Sequence, residues 1–174
     1  FAYVAGAHVD MYKEIPGEDR RTLRFAAADD RAWAQPTEAE VIIFPRYNWW
    51  NNVGRIAALD RSPRTITLAA DCYYAIRPAD RFYVRNVREE LDAPGEWYLD
   101  RTTATLYFWP PDGADLGTVF APTLRTLVEL GAGTAHVTLR GLVFEGCEGT
   151  AITFKGTTAC RVVASTIRNV GDYH

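Results

Sequence analysis

Short runs of β-branched and aromatic residues, each closed off by Pro, Gly, Asn or Asp, most restrict the folds open to this chain. They occupy 22–25, 41–44, 55–59, 65–68 and 81–84, a length that suits strands and is too short for an amphipathic helix. The reading is a mostly β protein. Asp60-Arg61-Ser62-Pro63 supplies turn chemistry, so 55–69 is expected to be a hairpin. A second hairpin is expected to pair Glu96-Trp97-Tyr98-Leu99 with Thr105-Leu106-Tyr107-Phe108-Trp109. It is entered through Pro94-Gly95, where Pro fixes φ and Gly accepts the positive φ of a type II turn. Helix signals reduce to a turn or two near 29–34 and 88–91.

Composition narrows the function classes. The 174 residues hold 19 Lys plus Arg against 22 Asp plus Glu, a net charge of −3, and no basic cluster, so a nucleic-acid partner is not expected. The longest uncharged stretches, such as Leu130 to Leu139, are ten residues, short of the ~20 a bilayer requires, so no membrane partner is expected either. With 48% hydrophobic residues the chain can bury a core without metal or disulfides. Cys72, Cys147 and Cys160 fit one pair plus a buried thiol as well as three thiols. Beginning at Phe1 and ending just after a strand-like run, the chain reads as an excerpt of a longer polypeptide.

Beyond residue 120 the pattern changes. Laying 137–146 over 160–169 places Leu139 on Val162, Phe144 on Ile167, Val137 on Cys160 and Glu145 on Arg168, an offset of 23 residues. One coil of a parallel β-helix needs such a spacing, because each coil buries its apolar side chains only against its neighbours. Ala151-Ile152-Thr153-Phe154 would add another strand, and an ordinary sheet with a coincidental offset is the alternative.

The segment Val84 to Arg101, with Glu90-Leu91-Asp92-Ala93-Pro94-Gly95-Glu96-Trp97-Tyr98 at its centre, then 106–111 and Leu139-Arg140-Gly141-Leu142-Val143-Phe144-Glu145, resembles right-handed parallel β-helix proteins related to glycoside hydrolase family 141. The resemblance covers roughly residues 33–174. It implies a small β-rich insertion domain, sandwich or barrel-like, at 1–120, followed by the first coils of a β-helix at 121–174. It also implies an extracellular or periplasmic carbohydrate-active parent, a glycoside hydrolase whose partners are a polysaccharide or glycan and the remainder of its own β-helix. The family's acidic pair lies in later coils, so no catalytic residue is assigned here.

Read as chemistry, the acids offer little. Glycoside hydrolysis takes two carboxylates, about 5–5.5 Å apart for retention and 6.5–9.5 Å for inversion. Glu89, Glu90, Asp92, Glu96, Asp112, Asp115, Glu145 and Glu148 each have a plainer role in a turn, on divergent faces, or in a pair such as Glu145 with Arg168. Trp49-Trp50-Asn51-Asn52, preceded by Arg46 and Tyr47, is the best local candidate for substrate binding. Indole faces stack on the C–H face of a sugar and amides pair with hydroxyls. The plainer account gives one tryptophan to the core and the asparagines to a turn. Trp97, Leu99 and Phe108 are expected in the core, and Tyr98, Tyr107 and Trp109 on the opposite face against the β-helix.

No metal or cofactor is expected, since His8, His136 and His174 are far apart and Cys-x-x-Cys is absent. Asp172 and His174 read as a turn at a coil edge. The competing functions are a non-catalytic carbohydrate-binding or adhesion module and, on fold analogy alone, a polysaccharide lyase.

Overall fold

The structure, a computed structural model, describes residues 1–171; Asp172 and His174 lie outside them. The chain is mostly β, and its described residues divide into two compact units, Phe1–Ala114 and residues 115–171.

The first unit is built on a six-stranded antiparallel sheet in the order β1 (Ala2–Tyr3), β6 (Arg81–Arg85), β3 (Glu40–Ile43), β4 (Asn52–Asp60), β5 (Thr65–Leu68) and β2 (Thr22–Arg24). It curls into a half-barrel. Strand β4 shows how: Asn52–Arg55 pairs with β3, a bulge falls between Ile56 and Ala58, and the remainder pairs with β5. A bulge adds twist to one strand, so a nine-residue β4 turns the corner that two shorter strands would leave open. The sheet ends in strands of two and three residues, which limits the unpaired edge.

Alternation along these strands builds the core. Leu23, Val41, Ile43, Ile56, Ile66, Leu68 and Phe82 pack together with Cys72 and Val87, and Trp33 leans on the same cluster. Each buried aliphatic side chain contributes about 1.5–3 kcal/mol of transfer free energy. Both expected hairpins are present: β4 to β5, and β7 (Trp97–Asp100) paired with β8 (Thr105–Phe108). Gly95 sits at φ 96° and the Glu96 amide donates to the Ala93 carbonyl at 3.3 Å, as a type II turn requires. Among the described residues, helix is confined to four 3-10 segments, two of which are Ala27–Asp29 and Arg88–Glu90.

The second hairpin corrects one expectation. Its inward residue is Tyr98, 5% exposed, whereas Trp97 and Phe108, which face one another across the pair, are 54% and 36% exposed. Both faces of this hairpin are apolar, so period-two alternation says which residues share a face and leaves open which face is inward. Asn86 settles it by locking the Leu99 backbone to β6's end: its amide donates to the Glu38 and Leu99 carbonyls at 3.1 and 3.2 Å, and its Oδ1 accepts from the Leu99 N–H at 2.8 Å.

Among the described residues, the second unit contains three short parallel pairs. β10 (Thr138–Arg140) pairs with β13 (Arg161–Val163), β11 (Val143–Cys147) with β14 (Thr166–Val170), and β9 (Val128–Leu130) with β12 (Ile152–Phe154). The 23-residue register is kept: Leu139 faces Val162, Phe144 faces Ile167, and Glu145 faces Arg168, whose guanidinium it accepts at 2.9 Å. That guanidinium, helped by Asn169, holds the Glu145 carboxyl below its ordinary range. Phe144, Cys147 and Ala151 form the buried centre, with Leu139, Ile152, Val162 and Val170 packed around them. All three cysteines are free thiols.

Candidate functional site

The connection from β3 to β4 carries Arg46, Tyr47, Asn48, Trp49, Trp50 and Asn51, and its backbone is tightly held. Arg46 and Asn48 both occupy the left-handed region, at φ 62° and 59°. Such geometry costs a non-glycine residue about 1–3 kcal/mol unless its surroundings fix it. Here they do. The Arg46 N–H donates to Asp80 Oδ2 at 2.9 Å, and the Asn48 carbonyl accepts from Arg81 at 3.2 Å. Arg81 in turn lies 4.1 Å over the Phe44 ring.

Asp80 itself is 3% exposed and also accepts from the Arg77 N–H at 2.7 Å. Burial pushes its carboxyl up to about 6, against the pull of the two backbone donors and the Arg77 charge toward the ionised form. Arg77, 2% exposed, grips Glu18 with Nε at 2.7 Å and Nη2 at 2.6 Å, and donates to the Asp10 and Lys13 carbonyls. The pair holds the Glu18 carboxyl below its ordinary range and raises Arg77. Arg46 reaches the Met11 carbonyl at 2.8 Å and also bonds Glu14. Two arginines therefore staple the otherwise exposed 10–18 segment to the rim of the sheet.

On this rim the aromatic side chains close a circuit. Ring centroids are 6.4 Å apart for Tyr47 and Trp49, 6.3 Å for Trp49 and Trp50, and 5.6 Å for Trp50 and Tyr73. The circuit continues at 4.9 Å from Tyr73 to Tyr74 and closes at 5.0 Å from Tyr74 to Tyr47. Tyr12, on the stapled segment, approaches Tyr47 at 6.3 Å. Asn52 ties the two contributing loops together, its Oδ1 accepting from the Tyr73 N–H at 3.1 Å. Trp49 is 70% exposed and Tyr73 62% exposed, so flat faces are offered outward.

Neither tryptophan belongs to the core cluster, which corrects the plainer account of the Trp49-Trp50 doublet; the tryptophan on the core is Trp33. Asn51 is half-buried beside them, and Asn52 opens β4. Sequence reasoning missed Tyr73 and Tyr74 as partners. The available signal was a second aromatic doublet, placed like Trp49-Trp50 just outside a strand.

Two clefts adjoin the circuit. One, of about 600 Å³, is lined by Arg20, Asn52, Asp71, Cys72, Tyr73 and Tyr74. The other, of about 270 Å³, is lined by Glu14, Ile15, Gly17, Glu18, Arg20, Arg46, Tyr74 and Ala75. Cys72 offers no nucleophile: it is 3% exposed, and burial pushes its thiol up to about 12.

The acids weighed for catalysis are mostly committed elsewhere. Glu96 Oε2 accepts from the Asp92 and Ala93 N–H groups at 2.8 and 2.9 Å, so the side chain closing that turn is Glu96 rather than Asp92. Glu89 and Glu90, expected to diverge, converge on one segment, accepting from the Ala34 N–H and the Trp33 indole at 2.9 Å each. Asp115 accepts from the Gly117 N–H at 2.9 Å. Asp112 and Glu148 are exposed. Among the described residues, no three His, Cys, Asp or Glu side chains converge as a metal site, and no helix is long and apolar enough to cross a membrane.

Compared with known proteins, the chain matches no family model, no curated protein and no solved structure.

Proposed function

We infer that this chain is the opening portion of a carbohydrate-active protein of the right-handed parallel β-helix class, related to glycoside hydrolase family 141 and working outside the cell or in the periplasm. Its first unit contributes a glycan-contact face, and the hydrolytic acid pair belongs to later coils. The observation that carries this reading is the closed aromatic circuit Tyr47, Trp49, Trp50, Tyr73 and Tyr74, with its outward-facing Trp49 and Tyr73. A surface that keeps large rings in water forgoes the gain of burying them, and a pyranose face is a ligand that recovers it. The 23-residue register of two parallel pairs supports the β-helix part.

A second reading, a non-catalytic carbohydrate-binding module, is favoured by one specific observation: Glu89, Glu90, Glu96 and Glu145 are each occupied by a structural donor. Both readings share the contact face, so one binding experiment addresses it. Retention by neutral and acidic polysaccharides in affinity electrophoresis is expected for the wild type. The double variant Trp49→Ala, Trp50→Ala should weaken it tenfold or more, about 1.4 kcal/mol. Undiminished retention of the double variant would remove the face from the proposal. Reducing ends released only by a chain extended through later coils would then separate hydrolase from binding module.

A further inference from the structure

The charges around the two clefts are unequal in one respect. Asp71 pairs with Arg21 at 3.0 Å, Glu18 with Arg77 at 2.6 Å, and Glu14 with Arg46. Arg20 lines both clefts, is exposed, and among the described residues its guanidinium has no ion pair and no hydrogen bond. Only its backbone is engaged, the carbonyl accepting from the Cys72 N–H at 2.7 Å. Every acid lining the clefts is thus neutralised by another arginine, and the cation left over stands where both clefts meet Tyr74 of the aromatic circuit.

A guanidinium is planar, permanently charged and built to take two oxygens of one oxyanion, and in a chain of net charge −3 a free one beside stacking rings selects for an anion locally. We propose that the sugar this face takes is anionic, with its carboxylate or sulfate held by Arg20 while a ring of the same chain stacks on the aromatic circuit. The inference rests on the glycan-contact reading and adds the substrate class to it. Arg20 is a specificity-determining residue, and no bond is made or broken by it.

The test is calorimetric titration of the full chain with three oligosaccharides of equal length: oligogalacturonate, a sulfated galactan fragment and a neutral galactan fragment, at fixed salt. The wild type should bind at least one anionic ligand tenfold or more tighter than the neutral one. The stronger of the two identifies carboxylate or sulfate as the preferred oxyanion. Arg20→Gln should bring that preference within about twofold and leave neutral affinity unchanged, and Arg20→Lys should keep part of it. Equal wild-type affinities, or a preference that survives Arg20→Gln, overturns the role of Arg20. The aromatic reading fails separately: Trp49→Ala, Trp50→Ala that leaves every affinity intact removes the rings but not Arg20. No binding of any of the three overturns both. Arg20→Gln is expected to melt like the wild type, since only its backbone is held.

Discussion

Asp80 shows how much one carboxyl can do. It fixes the two turns that carry Arg46 and Arg77 by accepting both backbone N–H groups on a single oxygen. Its folded-state value near 6 stands above the ordinary 3.8, so the native chain holds this proton more tightly than the unfolded chain does. As pH rises from about 4 to about 6, Asp80 therefore withdraws stability, on the order of 2–3 kcal/mol for a shift of about two pKa units. Glu18 and Glu40 work in the opposite sense. Arginine partners hold both below the ordinary value, against the cost of burial that is largest for Glu40, so their contribution is present above about pH 4.5 and lost as pH falls. Urea unfolding of Asp80→Asn across pH 4 to 7 is the check. The amide oxygen keeps both backbone bonds, so the variant should lose the wild type's decline between pH 4 and 6; an unchanged profile would mean that Asp80 does not titrate there. None of this was legible beforehand, because Asp80 sits in a loop-like Pro-Ala-Asp stretch whose burial depends on strands far away in sequence.

At the scale of elements, local chemistry was readable and orientation was not. The Pro94-Gly95 turn, both hairpins and the register of β10 with β13 and β11 with β14 follow from residue types and spacing. The Glu145 and Arg168 pair followed from that register as well. What escaped was the inward face of β7 and β8, decided by Asn86 across 13 residues, and the meeting of the Trp49-Trp50 and Tyr73-Tyr74 loops, decided by which strands neighbour one another. Asn86 is 9% exposed and itself left-handed, at φ 58°. Asn86→Ala should cost about 2–3 kcal/mol, because it strands three partly buried backbone groups and leaves a β-carbon in a strained conformation. Asn86→Gly removes the same hydrogen bonds without that strain, so it should recover only part of the loss. Amide exchange at Leu99 reads the effect: it should quicken in both variants, and protection left at the wild-type level would deny Asn86 its part in seating the hairpin.

Across the whole molecule, the two units are held by different means. The first has a broad core drawn from five strands of a curled sheet and from the loops around it, with the arginine staples at its rim. The second gathers around Phe144, Cys147 and Ala151. Each core contains one buried free thiol, Cys72 at 3% exposure and Cys147 at 4%, while Cys160 is partly exposed. Nature has thereby placed a kinetic reporter in each unit. A disulfide reagent can reach a buried sulfur only when the surrounding structure opens, so its rate of modification measures the free energy of that opening. In one sample followed by mass spectrometry of peptides, Cys160 should be labelled first, Cys147 next and Cys72 last, in the order of the apolar surface that encloses them. Labelling of Cys72 ahead of Cys147 would reverse that ranking and make the half-barrel the more easily opened unit. Bound oligosaccharide adds a further reading, because Cys72 lies in the wall of the larger cleft. A ligand seated there should favour the closed wall, slow modification of Cys72 and leave Cys147 unaffected, so a native sulfur can map occupancy of the face without an engineered cysteine.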